Sequence, residues 1–135
     1  EVLGAVPRPM SATTSARILL ACADEEQHSL PLEAMAAALA QVGVACRMLG
    51  ARVPPSALID SVSRTRPAVV ILWSQTADTA DIGQLQALLT RPGRPLLVLA
   101  GGPGWNAESL PADVVAPVSL SHALHFAVAA AETDQ

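Results

Sequence analysis

Short, continuously apolar runs alternate with amphipathic segments along most of the chain. The apolar runs predict strands at 17–22, 44–49, 68–73, 96–101 and 114–118. The amphipathic segments repeat apolar residues at helical spacing and predict helices at 30–43, 54–66, 80–91 and 119–133. Apolar strands that alternate with amphipathic helices are typical of a parallel sheet covered by helices on both faces.

The ends of the predicted helices carry recognisable signals. Gly43 is a suitable stop for the first helix. Asp78 or Thr79 is the expected cap of the third helix, and Ser119 or Ser121 that of the last one.

This order of elements predicts an α/β fold of the flavodoxin-like (Rossmann-like) doubly wound type. We expect a five-stranded parallel sheet with strand order 2-1-3-4-5. Ligands on such sheets bind at the carboxyl ends of the strands. Three loops at these ends are rich in polar residues or glycine, at 23–31, 74–79 and 101–106. Because strands 1, 3 and 4 are neighbours in this order, the three loops share one rim, which is the predicted site.

Composition narrows the classes of partner. The formal net charge is -4, and all eight basic residues are arginine, without a basic cluster, which argues against nucleic-acid binding by this segment. No apolar run reaches the roughly 18 residues of a membrane helix, and no signal peptide is recognisable. Cys22 and Cys46 lie in or beside apolar runs and are expected to be buried free thiols in a reducing cytoplasm.

The first sixteen residues, "EVLGAVPRPMSATTSA", contain two prolines and a run of serine and threonine. This composition predicts a linker over 1–16. We expect it to follow an upstream domain of a longer protein, with residues 17–135 forming a single binding domain.

The rim residues do not match three common sites of this fold: a phosphate-binding loop, a phospho-acceptor site and a flavin site. The segment "GGPGW" has neither the lysine of a P-loop nor the GxGxxG spacing. A phospho-acceptor receiver domain needs an aspartate after strand 3 and a lysine after strand 5, but strand 3 ends in "LWSQT" and the chain has no lysine. A flavodoxin-type flavin site needs a Ser/Thr-rich first loop and aromatic residues, whereas this loop is acidic and the chain has no tyrosine.

The three rim loops carry the elements "EQHSLP" (26–31), "SQT" (74–76) and "GG" (101–102). Together they resemble the cobalamin-binding domain, whose pattern is D-x-H-x-x-G, then S-x-L, then G-G. The spacing between the first two elements agrees closely with that family, and the second spacing is slightly short. Glu26 stands in place of the family's aspartate, Pro31 in place of its glycine and Thr76 in place of its leucine.

The resemblance implies that cobalamin binds with its own dimethylbenzimidazole displaced and that His28 coordinates the cobalt. Glu26, or alternatively Asp24, would hold the other ring nitrogen of His28. Ser74 would hydrogen-bond the buried tail, and the glycines would make room for it. The implied cofactor-binding set is Glu26, His28, Ser74, Thr76, Gly101 and Gly102, with His28 as the metal ligand.

Each of these residues also has an ordinary structural interpretation. An isolated histidine is usually a plain loop residue, a serine at a strand end usually belongs to a turn, and two glycines usually form a tight turn. Their common register favours the binding site. Trp73 is expected in the core, and Trp105 either lines the pocket or covers the sheet edge. His122 and His125 are expected at the surface or in packing.

The chain most resembles the ligand-binding module of MerR-type, light-responsive, cobalamin-dependent transcription regulators. That resemblance implies adenosylcobalamin as ligand, self-association, and DNA binding by a separate N-terminal domain. Since the sequence has no catalytic constellation, we do not expect an enzyme. One alternative is a cobalamin-carrying module of a mutase or methyltransferase. The other is a flavodoxin-like domain without cobalamin, favoured by Pro31 and Thr76.

Overall fold

The computed structural model describes residues 17–91 and 93–133, so the predicted linker lies outside the described residues. Strands and helices alternate through this part of the chain. Their bounds are β1 (Ile18–Cys22), α1 (Leu30–Gln41), β2 (Cys46–Gly50), α2 (Pro55–Thr65), β3 (Val69–Trp73), α3 (Ile82–Thr90), β4 (Leu97–Gly101), β5 (Val114–Val115) and α4 (Leu120–Thr133). Short 3₁₀ turns lie at Ala77–Thr79 and Ala107–Ser109.

The strands form one parallel sheet in the order β2-β1-β3-β4-β5. The predicted fold class and strand order are therefore confirmed. The order reverses direction between β1 and β3, and in doubly wound sheets such a reversal opens a crevice at the carboxyl ends of the strands.

Each face of the sheet is covered by a pair of helices. On one face, α2 and α3 contribute buried leucines such as Leu58, Leu85 and Leu88. On the other, α1 and α4 contribute Leu32 and Ala127. Burial on both faces explains why β1 is apolar at every position, since neither side of this strand meets water.

The cap predicted for α3 is wrong. Residues 77–79 form a 3₁₀ turn, so neither Asp78 nor Thr79 precedes the helix directly. Asp81 is the cap, and its carboxylate accepts a hydrogen bond from the Gly83 N–H at 2.9 Å. The turn moves the helix start further along the chain and, as described below, turns Thr79 toward the site.

The other helix signals hold. Pro31 lies in the first turn of α1, where a backbone N–H is not required. Ser119 precedes α4, and its hydroxyl accepts from the His122 N–H at 3.0 Å, so Ser119 is the capping residue rather than Ser121.

The fifth strand is shorter than the predicted run at 114–118. It pairs with β4 only through Val114 and Val115. Pro117 lacks the N–H that would continue the ladder, so the chain leaves the sheet before it. The segment 117–120 consequently faces the cavity described below.

Both cysteines are free, as predicted, although Cys46 is only half-buried. Burial, with the nearby Glu26 carboxylate, raises the pKa of the Cys22 thiol to about 11. None of the described helices has the length and apolar character needed to cross a membrane.

Candidate functional site

The three polar loops meet at one rim, as the strand order predicts. The Ala23 N–H donates to the Trp73 carbonyl at 2.9 Å, which joins the ends of β1 and β3. The Ser74 N–H donates to the Gly101 carbonyl, and the Gly104 N–H donates to the Ser74 carbonyl, both at 3.0 Å. These bonds fix the loops after β1, β3 and β4 against one another.

Glu26 is the centre of this rim. Its side chain is only 1% exposed, and its carboxylate accepts hydrogen bonds from the segment that follows β3 and from its own loop. One oxygen accepts from the Gln75 N–H and from the Thr79 hydroxyl, each at 2.6 Å. The other oxygen accepts from the His28 N–H at 2.9 Å and lies 2.5 Å from Nδ1 of the His28 ring. A carboxylate with these four contacts holds the first loop to the end of β3.

Two opposing effects set the ionisation of Glu26. Burial raises the pKa of the carboxyl group, but hydrogen bonds from Thr79, Gln75 and His28 lower it more. The net pKa is lowered to about 2, so Glu26 is a carboxylate throughout the neutral range.

The ring of His28 presents one nitrogen to Glu26 and the other outward. Because Nδ1 faces a carboxylate, we assign the proton of the neutral imidazole ring to Nδ1, which leaves a lone pair on Nε2. The side chain is 62% exposed, and Nε2 has no hydrogen-bond partner among the described residues. Glu26, rather than Asp24, makes the contact with the ring, and the backbone N–H of Asp24 donates to the Gln84 side chain at 3.1 Å.

The neighbouring β2–α2 loop braces the His28 loop. The Arg52 N–H donates to the Glu26 carbonyl at 2.6 Å, and the Arg52 guanidinium contacts the Glu25 carboxylate at 3.1 Å. Glu25 and Arg52 both have positive φ, at 69° and 54°. Two non-glycine residues in this conformation mark a loop whose surroundings impose its shape.

Ser74 and Thr76 occupy different environments at the end of β3. Ser74 is fully buried, and its hydroxyl lies 2.9 Å from the Thr76 carbonyl and 2.7 Å from the Thr79 hydroxyl. Because Thr79 donates its proton to Glu26, the single hydroxyl proton of Ser74 is shared between the Thr76 carbonyl and the Thr79 hydroxyl. The side chain of Thr76 is exposed. Thr79 was missed as a site residue by the sequence analysis, which assigned it to a helix cap.

The glycines of the third loop stand where a side chain would collide with the rim. A Cβ on Gly101 would lie 2.9 Å from the Trp73 ring, and one on Gly102 would lie 2.2 Å from the Ser74 carbonyl oxygen. Gly104, which the sequence analysis also missed, would place a Cβ 2.3 Å from the Thr76 carbonyl oxygen.

Gly102→Ala is expected to destabilise the domain more than Gly43→Ala. Both residues have positive φ, which costs an alanine about 1–2 kcal/mol. Gly43 has open space around its Cβ position, whereas Gly102 meets backbone, so Gly102→Ala adds an overpacking cost of about 1–3 kcal/mol. Urea unfolding of the two variants measures the difference; equal losses of stability would contradict the close approach.

A cavity of about 230 Å³ lies beside this rim, between the sheet, α1 and α4. Its walls are mostly apolar and include Leu32, Met35, Trp73 and Gly101. Val118, which is 87% exposed, stands at its mouth. The described residues that line it do not include Ser74.

The two tryptophans lie on opposite faces of the sheet, and only Trp105 departs from its prediction. Trp73 is half-buried: it packs against the core on the face covered by α1 and α4, as predicted, and it also lines the cavity. Trp105 packs in the core on the opposite face, where its indole N–H donates to the Leu72 carbonyl at 3.3 Å. His122 packs beside the Phe126 ring, and His125 is exposed, as predicted.

The metal-binding side chains of this site suit a metal that is already coordinated by a macrocycle and needs one ligand from the protein. Among the described residues, no group of three or more His, Cys, Asp or Glu could hold an ion. His28 offers one oriented, exposed imidazole nitrogen, and beside it lie an apolar cavity and close-packed glycines. A corrinoid, in which the macrocycle already coordinates cobalt, fits these residues.

A model of the B12 binding domain family matches residues 16–117. The chain belongs to the B12-binding domain family. The cobalamin-binding assignment made from the three rim elements is thereby confirmed at the level of the family. A search of curated proteins found no match.

Two solved structures resemble this B12-binding domain. A novel cobalamin-binding protein from Desulfitobacterium hafniense is 21% identical with a TM-score of 0.73, and the match covers 86% of this chain and 59% of that one. The methanol:cobalamin methyltransferase complex from Methanosarcina barkeri is 20% identical with a TM-score of 0.77, covering 91% of this chain and 50% of that one. At these identities the similarity shows the fold. The chain spans less than two thirds of either protein's length.

Proposed function

We propose that this B12-binding domain binds cobalamin with the cobalt ligated by Nε2 of His28. The observation that carries the proposal is the contact between Nδ1 of His28 and the buried Glu26 carboxylate, which orients the ring and leaves Nε2 available at the rim. Metal-ligating histidines are usually held in this way through their second nitrogen.

Glu26 acts on the metal site through His28. Its low pKa keeps it charged, so it holds the proton on Nδ1 and makes Nε2 a better electron donor. Thr79 and the Gln75 N–H fix the carboxylate itself. Ser74 supports this arrangement through its hydrogen bond to Thr79.

The cavity beside the rim would receive the displaced nucleotide tail. Gly101 and Gly102 add no side chain of their own at its edge, so the Trp73 ring packs directly on their backbone, and Leu32 and Met35 offer an apolar wall. Thr76 lies exposed at the same strand end, and we keep it in the proposed binding set. Bound cobalamin supplies a cobalt centre that forms and breaks a bond to carbon.

For the biological role, we propose a sensory module of a transcription regulator that uses adenosylcobalamin in the cytoplasm. The support is the E-x-H spacing of Glu26 and His28, which resembles that of regulator-type members of the family. In this role the domain would self-associate, and DNA contacts would belong to an upstream domain.

The second candidate is a cofactor-carrying module of a methyltransferase. Its support is the similarity of the fold to the methanol:cobalamin methyltransferase complex. In such a role a partner subunit or domain would supply the catalytic residues, and this domain would present the cofactor to it.

Gel filtration of the chain with adenosylcobalamin, in the dark and after illumination, tests both cobalamin binding and the biological role. We expect cobalamin to co-elute with the protein, and a sensor should change its elution volume on illumination. Co-elution with an unchanged volume would favour the carrier. A colourless protein peak at saturating cobalamin would contradict cobalamin binding and support the flavodoxin-like alternative.

A further inference from the structure

Trp73 forms one wall of the cavity. The residue ends β3, and its indole packs against the glycine loop, where a Cβ on Gly101 would lie 2.9 Å from Cε3 and one on Gly102 would lie 3.0 Å from Cε2. The ring therefore lies close over the glycine backbone. It leaves the cavity of about 230 Å³ open beside it.

A hydrogen bond fixes the orientation of this ring. The indole N–H of Trp73 donates to the Gln75 side-chain carbonyl at 3.2 Å. The backbone N–H of the same glutamine donates to Glu26 at 2.6 Å. The ring is thus held to the strand end that also fixes Glu26, and little rotational freedom remains to be lost when a ligand packs against it.

Among the described residues that line this cavity, Trp73 is the single aromatic one. The other walls are mainly aliphatic, with Leu32, Met35, Ile71 and Ala123. An apolar cavity of about 150 Å³ already accepts benzene, so this one has room for a bicyclic ring. A planar π surface in an apolar cavity favours a planar aromatic ligand, because stacking adds to the buried area.

We propose that Trp73 is a specificity-determining residue, which packs against a planar aromatic base on the nucleotide tail of the cofactor and favours corrinoids that carry such a base. The inference rests on the proposed function, since it assigns the cavity to the displaced tail. It goes further by naming the residue of this chain that recognises the base of that tail.

The test compares the affinities of aquacobalamin, which carries a dimethylbenzimidazole base, and diaquacobinamide, which has no base. Both are titrated by visible absorbance into the full chain and into Trp73→Leu, Trp73→Phe and Trp105→Phe variants. We expect Trp73→Leu to reduce the preference for cobalamin over cobinamide about tenfold, or about 1.4 kcal/mol, as for one base–aromatic stack. Trp73→Phe should keep most of the preference, and Trp105→Phe all of it.

A second measurement detects the contact between Trp73 and the base directly. In ¹⁵N-labelled protein, the indole N–H resonance of Trp73, assigned with the Trp105→Phe variant, should shift on binding cobalamin and move much less with cobinamide. An unchanged preference in folded Trp73→Leu, or equal shifts with both corrinoids, would overturn the role of Trp73 while leaving cobalamin binding intact. Failure of both corrinoids to bind the unaltered chain would overturn the proposed function and this inference with it.

Discussion

Replacement of His28 by alanine is expected to weaken hydroxocobalamin binding by at least about 100-fold and to abolish the spectral change that accompanies histidine ligation. Even partners that only orient a ligating histidine contribute about 10–100-fold to metal affinity, so loss of the ligand itself should cost at least as much. Because the His28 ring is mostly exposed, its removal leaves the core intact. Titration followed by visible absorbance measures both effects.

The matched control is His125→Ala. His125 is exposed on α4, away from the rim loops. Its replacement should leave the affinity and the spectrum of the complex unchanged. A His28→Ala protein that titrates like the unaltered chain would show that cobalt has another lower ligand.

Replacement of Glu26 by glutamine is expected to cause a large loss of stability at pH 7, roughly 3 kcal/mol or more. The charged carboxylate accepts four hydrogen bonds in a buried position. A glutamine amide has one accepting oxygen and turns a donor group toward Thr79 or His28, so buried donors lose their partner. Urea unfolding at neutral pH measures the loss.

The same residue predicts a pH dependence. The pKa of Glu26 is about 2 in the folded state against an ordinary value of 4.5, so the unfolded state binds its proton more readily. The stabilisation is fully present above about pH 5 and is lost as the pH falls toward 2. The free energy of unfolding of the unaltered chain should therefore fall more steeply across this window than that of Glu26→Gln.

Glu108→Gln is the control for both measurements, since Glu108 is exposed in the 3₁₀ turn after β4. Its stability and its pH profile should match those of the unaltered chain. If Glu26→Gln showed the same steep acid dependence, the carboxylate would not be the group that titrates.

The fold could be predicted from the sequence because each of its elements has an unambiguous pattern. The central strands are apolar throughout since helices cover both faces, and 2-1-3-4-5 is a common order of the doubly wound sheets that the alternation of strands and helices indicates. The fifth strand was predicted too long because its apolar run continues past the point where Pro117 ends pairing.

Part of the site was accessible to sequence reasoning and part was not. Glu26 and His28 lie two positions apart in one loop, so a local motif could pair them. Thr79 reaches Glu26 only because residues 77–79 form a 3₁₀ turn, and Gly104 is required only because the Thr76 carbonyl lies opposite it. Both depend on how two loops meet, which no local spacing reveals.

Pro31, which stands in place of the family's glycine, is accommodated by the start of α1. The helix begins at Leu30, which puts Pro31 in the first turn, where its fixed φ suits the helix. The His28 loop ends just before it, and its shape is held by Glu26 and Arg52 instead.

Ligation of cobalt by the protein is tested most directly by electron paramagnetic resonance of cob(II)alamin bound to uniformly ¹⁵N-labelled protein. A single axial nitrogen splits the cobalt lines into triplets if it is ¹⁴N and into doublets if it is ¹⁵N. With unlabelled cofactor, ligation by His28 predicts triplets in unlabelled protein and doublets in labelled protein. Triplets that persist in the labelled protein, which identify the cofactor's own base as the ligand, would contradict it.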